Sequence, residues 1–218
     1  MKVIQNLVPT SKYNIKCPYP MTPEFIVVHN TANDASARNE VAYMIRNSNK
    51  VSFHYAVDDK EIIQGIPENR NAWHAGDGNG PGNRKGLSIE ICYSKSGGQK
   101  FIAAEKLAVK FIAFKLKEKG WGIDKVKKHQ DFSGKYCPHR TLDMGWQRFL
   151  NMVQAELNIL KGDKAMADKD KPSAWAKAVW EWGIKEGIVD GTNPQKVATR
   201  EELVSMLHKA LVVKKVGR

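Results

Sequence analysis

The chain has 218 residues, 35 Lys+Arg against 23 Asp+Glu, a net charge of +12 and 42% hydrophobic residues, enough for one full core and a small further module. Ordinary apolar, Gly and Pro fractions exclude wholesale disorder and fibrous repeats, and no apolar run approaches the roughly 18–20 residues of a membrane helix. At the start, MKVIQNLVP is interrupted by Gln5 and Asn6 before the roughly 7-residue apolar stretch of a secretory leader forms, so synthesis in a cytoplasm is expected.

In chain order, residues 25–29, 53–57, 61–66 and 87–93 are short β-rich runs, and Asp58-Asp59 between two of them reads as a hairpin turn. Residues 35–46, 104–117 and 146–160 repeat apolar side chains at helical spacing. In the last of these, Trp146, Phe149, Leu150, Val153, Leu157 and Leu160 form one stripe, as expected of a helix packed on a sheet. The fold class expected is α/β, a central mixed sheet flanked by helices, followed by a small helical module. Composition shifts at KGDKAMADKDKP (161–172), which reads as a linker between a domain at 1–160 and a module at 173–218.

The excess of positive charge suits a polyanionic partner: nucleic acid, an anionic membrane or the acidic polymers of a bacterial wall. The basic residues are scattered, and no zinc finger, aromatic RNA-binding strand or basic region with heptads is present, so no nucleic acid is expected. Three cysteines, Cys17, Cys92 and Cys137, are too few for a disulfide scaffold and lack CxxC spacing, so a metal site must recruit histidines. His29 closes a buried run, and His129 with Cys137 brackets a loop. Two imidazoles and a thiolate suit zinc and leave a fourth position for water, although a His-x7-Cys pair is weak evidence by itself.

Five segments in order carry a more specific signal: FIVVHNT (25–31), VSFHYAVDD (51–59), AWHAGDGNGPGN (72–83), LSIEICYS (87–94) and HQDFSGKYCPHR (129–140). Over residues 1 to about 158 the chain resembles the zinc-dependent N-acetylmuramoyl-L-alanine amidases of the T7-lysozyme and peptidoglycan-recognition-protein type, especially phage and prophage endolysins of Bacillus-like hosts. The resemblance implies that His29, His129 and Cys137 bind Zn2+ and that the substrate is peptidoglycan, cut between the lactyl group of N-acetylmuramic acid and L-alanine. An endolysin without a leader would wait in the host cytoplasm and act on the wall after release. A non-catalytic peptidoglycan binder of the same fold is the alternative; such relatives lack the zinc cysteine, which is present here.

Many relatives carry a tyrosine where this chain has Phe53. Without that hydroxyl, the proton-handling duty is expected to pass to Glu90, an acid in the apolar run Leu-Ser-Ile-Glu-Ile, where it is costly unless paired or functional; an ordinary strand glutamate facing water is the competing reading. Lys135 matches the lysine that such enzymes hold beside the metal and would steady the oxyanion. The glycine-rich 72–83 segment is expected to supply flexible backbone along the cleft, with Trp73, His74 and His54 as substrate contacts. His139 is expected to face solvent.

After the linker, a serine N-cap at Ser173 opens a helix with Trp175, Val179 and Trp182 on one face, and Thr199 with Glu202 forms a capping box for a second helix. Residues 173–211 resemble one S-layer-homology motif, notably in GIVDGTNP and TREELVSML. That likeness implies attachment to a secondary wall polymer, and oligomerisation through these helices is the competing role.

Overall fold

Side-chain alternation along two neighbouring strands organises the computed structural model, which describes residues 1–162, 177–189, 203–208 and 211. In β2 (Phe25–Asn30), Ile26 and Val28 enter one core while Val27 and His29 face the other way; in β5 (Gly86–Ile91), Leu87, Ile89 and Ile91 enter that same core and Ser88 and Glu90 face away. The remaining strands are β1 (Ile4–Gln5), β3 (Tyr55–Val57), β4 (Ile62–Gln64) and β6 (Val126–Lys128). The sheet order is β1-β4-β3-β5-β2-β6, with only the β3–β4 pair antiparallel. Asp58 makes the hairpin turn between β3 and β4, its Oδ1 accepting the N–H groups of Lys60 and Glu61 at 2.8 Å each.

Helices cover both faces. On one face, α4 (Gly98–Lys119) and α7 (Trp146–Lys161) pack Phe101, Phe111, Ile112, Phe149, Val153 and Leu157 over the strands. Across this helix pair, Arg148 donates to both carboxylate oxygens of the buried Glu105 at 2.8 Å. On the other face, α2 (Ala37–Arg46) contributes Ala37, Val41 and Met44 to a second core that holds Cys17, Phe53 and Cys92. Short helices α1 (Tyr13–Lys16), α3 (Pro81–Lys85), α5 (Gln130–Ser133) and α6 (His139–Asp143) sit in the connections. Sequence periodicity does not reveal them, and it does not reveal β6, whose Val-Lys-Lys is three residues long on the sheet edge, where lysines are common.

The strand expected from residue 53 starts at Tyr55, because side chains replace the ladder there. Phe53 N–H donates to Met44 Sδ at 3.3 Å, and His54 N–H donates to Ser88 Oγ at 2.9 Å. His54, expected to contact substrate, is instead fully buried between β3 and β5. Its Nε2–H donates to Arg70 O at 2.9 Å, and its Nδ1 accepts the N–H of Ser88 at 3.1 Å. His54 is therefore a structural bridge.

A fully buried lysine fixes the loop after α2. Lys16 Nζ donates to Asn47 Oδ1, Asn49 O and Val51 O at 2.8, 2.6 and 3.1 Å, while Lys12, one turn earlier, donates to the carbonyls of Ile45, Arg46 and Asn47 at the end of α2.

Residues Met1–Lys161 form one compact unit and Gly162–Arg218 another. In the second, α8 (Lys177–Lys185) ends at Gly187, which takes φ +66°, and Ile188 N–H donates to Gly183 O at 2.8 Å. Val179 and Trp182 are exposed, as are Leu203, Val204 and Leu207 on the helix at 203–208. Most of the expected linker, Ser173, Trp175 and the Thr199/Glu202 capping box lie outside the described residues.

Burial lowers the His54 pKa from 6.5 to about 4. The unfolded chain therefore takes up a proton at a pH where folded His54 does not, so this stabilisation is complete above about pH 6.5 and is lost as pH falls toward 4. Urea unfolding of wild type should lose stability over that window, and His54→Gln should remove on the order of 3 kcal/mol of the loss. An unchanged pH slope in the variant would contradict the bridge.

Candidate metal centre and cleft

Four of the six strands run parallel and end their carboxyl termini at one edge of the sheet, where side chains from separate connections meet. His29 is the fifth residue of β2, and its register partner on β5 is Glu90. In a parallel pair, register partners share a face, so the ring and the carboxyl stand side by side. His129 follows β6 directly, and its N–H donates to Val28 O at 3.3 Å, which extends the β2–β6 pairing to the site. Cys137 returns from the far side of α5, held by Gln130 N–H donating to Cys137 O at 3.0 Å.

These elements converge. His29 Nδ1 lies 3.0 Å from His129 Nδ1 and 3.9 Å from Cys137 Sγ, and all three residues are buried. Around a tetrahedral zinc with bonds of about 2.0–2.3 Å, donor atoms stand about 3.3–3.6 Å apart, so the observed separations bracket the required ones. Two imidazoles and a thiol, preorganised and shielded, are a donor set that suits such an ion. Glu90 Oε1 is 4.0 Å from the same His29 nitrogen, and Glu90 Oε2 is buried with no hydrogen-bond partner.

The arrangement of these side chains is supported from behind. His29 Nε2 meets His74 Nδ1 at 3.0 Å; with Nδ1 turned to the site, Nε2 carries the proton and donates to His74. His74 is buried, and its own N–H and that of Ala75 donate to Asn83 Oδ1 at 2.7 and 2.8 Å. The glycine-rich segment is thus clamped rather than flexible: Asp77 accepts from the N–H groups of Gly82 and Asn83, and Asn83 Nδ2 donates to Gly78 O. Gly76 takes φ +70° and passes so close to Ser133 that a Cβ would meet its Oγ at 3.1 Å. Asn30, the residue after His29, accepts the N–H groups of Arg140 and Thr141 through Oδ1 at 3.0 and 3.2 Å, tying β2 to the start of α6 just beyond Cys137. His139, expected to face solvent, is half-buried with Nε2 at 3.2 Å from Ser94 O.

Burial holds the centre uncharged. It pushes the His29 pKa well below the ordinary value, with the His74, His129 and Lys135 charges adding to the effect, and it lowers His129, again helped by Lys135. It raises the Cys137 thiol to about 11, with the Glu90 charge adding to the rise and the Asn30 backbone and Lys135 opposing it. It raises Glu90 to about 8, reinforced by Glu40 on α2 and opposed by Lys135. Both imidazoles therefore offer free lone pairs at neutral pH, and a cation that binds must displace the thiol proton. Lys135 is exposed, yet it is the nearby positive charge common to all four groups.

The centre opens on a cleft of about 740 Å3 lined by residues from three segments: Lys50, Val51, Trp73, His74, Gly76, Gly78, Asn79, Asn83, His129, Ser133 and Lys135. Trp73 and His74 are in this wall and His54 is not. Nothing in the sequence marks Asn83, Asn30 or Lys50 for these roles. Asn30 and Asn83 lie inside motif segments and Lys50 adjoins one, but a polar letter gives no sign of which backbone its side chain will cap or which cleft it will face.

A family model described as Amidase_2, N-acetylmuramoyl-L-alanine amidase, matches residues 19–140. The chain is 54% identical over 217 residues to the N-acetylmuramoyl-L-alanine amidase CwlA of Bacillus subtilis (strain 168), covering 97% of this chain and 79% of that protein. It is 57% identical over 209 residues to the amidase XlyB of the same organism, covering 94% of this chain and 64% of that one. The solved structure of PlyL superposes with a TM-score of 0.69 at 56% identity, over 71% of this chain and 98% of PlyL. The catalytic domain of XlyA superposes at 0.65 with 39% identity, over 70% of this chain and 99% of that one. With its family motif spanning the strands and loops that build the centre, this chain belongs to the Amidase_2 family of N-acetylmuramoyl-L-alanine amidases.

Proposed function

We propose that the chain is a zinc-dependent peptidoglycan amidase that hydrolyses the amide between the lactyl group of N-acetylmuramic acid and the L-alanine of the stem peptide. The observation that carries this reading is the convergence of His29, His129 and Cys137 beside the carboxyl of Glu90 in a chain of this family. When bound by those three residues, zinc supplies a Lewis acid and makes water a competent nucleophile near neutral pH. The remaining work falls to the chain's own groups.

Ionised once the positive charge of a bound cation stands beside it, Glu90 takes the proton that the attacking water gives up and returns it to the departing amine, which leaves neutral. Its position suits this role, because the side chain is 17% exposed, one strand over from His29, with one oxygen lacking any partner. Lys135, on the cleft wall, places an ammonium where negative charge grows on the carbonyl oxygen. Phe53 has no part in this, since its ring is buried in the second core. His74 keeps the His29 ring in one orientation and one tautomer. The cleft walls hold the substrate so that water, carbonyl and carboxyl meet in one place.

We further propose that residues 173–218 act as a wall-binding module, supported by the exposed Trp182 and neighbouring apolar side chains in a basic chain.

Four outcomes are expected. Glu90→Gln should retain zinc while releasing stem peptides from purified walls about 10² to 10⁴ times more slowly; turnover at the wild-type rate would remove Glu90 from the reaction. Cys137→Ser should lower zinc content measured by atomic absorption, and a chelator should stop peptide release by wild type until zinc is added back. A fluorescent reporter fused to 165–218 should pellet with purified walls, and reporter remaining in the supernatant would argue against wall attachment.

A further inference from the structure

The cleft has two unlike walls. Gly76, His129, Ser133 and Lys135 form the wall at the metal end, brought together by the close pass of Gly76 over Ser133 and His129. Lys50, Val51 and Trp73 form the other, joined by a reciprocal pair: Ser52 N–H donates to Trp73 O at 3.0 Å, and Trp73 N–H donates to Ser52 Oγ at 2.9 Å.

That second wall is held in place from below. Lys16 binds the carbonyls on both sides of Lys50, those of Asn49 and Val51, so the backbone oxygens turn inward to a buried ammonium while the Lys50 side chain stays exposed on the cleft side. Ser52 Oγ donates to Lys16 O at 2.6 Å, and Trp73 Nε1 donates to Ile15 O at 3.0 Å, locking the loop and the indole to the same short helix. Lys85, Lys115, Lys119 and Lys128 each pair with a carboxylate, whereas Lys50 and Lys135 pair with none among the described residues. Among the described residues, no carboxylate lines the cleft wall. Two unpaired ammonium groups on walls that carry no lining carboxylate attract an anion.

We infer that Lys50 is a specificity-determining residue that binds a carboxylate of the stem peptide, away from the scissile amide. The inference rests on the amidase reading and identifies which arm of the substrate lies along the Lys50–Trp73 wall. On the glycan side, the lactyl carboxyl is consumed in the amide and N-acetylated sugars are neutral. Carboxylates belong to the peptide arm, where an acidic residue and the chain terminus carry them. Lys135 serves the carbonyl oxygen at the metal end; Lys50 reads negative charge further along. A lysine on a pinned loop loses less freedom on binding than one on a loose loop, so its charge contributes to affinity.

The test uses the zinc-loaded full chain and the product peptide, which lacks the scissile bond and so reports binding alone. Titration by calorimetry or NMR compares the peptide carrying free carboxylates with the same peptide amidated. Wild type should bind the free acid about five- to tenfold more tightly, and added salt should shrink the preference. Lys50→Ala should bring the ratio close to one, Lys50→Glu should invert it, and Lys50→Arg should restore it. The inference is overturned if wild type binds both peptides equally, if Lys50→Ala keeps the preference, or if inorganic phosphate displaces the peptide at matching concentrations, which would mean a generic anion site. Amidase activity is read separately from peptide release by the same preparation, so a protein that binds with this preference but cuts nothing defeats the catalytic reading and leaves Lys50 standing.

Discussion

Parallel pairing of β2 with β5 in the register that sets His29 opposite Glu90 is the constraint on which the site depends. Each strand turns alternate side chains into the core under α4 and α7 and the others away from it. Ile26 and Val28 on one, and Leu87, Ile89 and Ile91 on the other, bury so much apolar surface under α4 and α7 that a slip of one residue is prohibitive. The same alternation forces Val27, His29, Ser88 and Glu90 onto the opposite face. A carboxyl and an imidazole are thus placed next to each other by hydrophobic burial of their neighbours rather than by their own attraction. The raised pKa of Glu90 follows from that placement, since it sits where the sheet, and not water, determines its surroundings.

Polar groups placed in this way must find partners, and the structure supplies them one after another. His54 bridges Ser88 and Arg70, its ring centroid 6.3 Å from that of His74; His74 meets His29, and His29 meets His129. Each nitrogen so engaged avoids the cost of a buried unsatisfied group and restricts the next ring. Among the described residues the exceptions are Thr31 Oγ1, Asn71 Nδ2, His74 Nε2, Arg84 Nε and Glu90 Oε2. Asn83 and Asp77 act in the same way on the glycine-rich segment, turning a stretch that looks loose into a fixed wall.

The two lysines of the first helical turns show how charge is divided between structure and binding. Lys12 and Lys16 direct their ammonium groups at backbone carbonyls and so shape the loop that carries Lys50. Lys50 and Lys135 keep theirs for the cleft. A net charge of +12 is therefore not one uniform property: part of it is internal scaffolding, part is paired on the surface of α4, and part faces the substrate.

The sequence by itself determined the α/β class and the main strands and helices, because these rest on local periodicity and composition. It also supplied His29, His129, Cys137 and Glu90 as a set, through motifs that carry their chemistry in adjacent letters. Tertiary structure alone decided that three of them point their donor atoms at one point, since residues about a hundred positions apart meet only through sheet order and register. It alone turned His54 inward and placed Lys50 on the cleft, because the direction of a side chain at a strand edge or on a loop depends on which backbone groups it must satisfy, and those belong to distant segments of the chain.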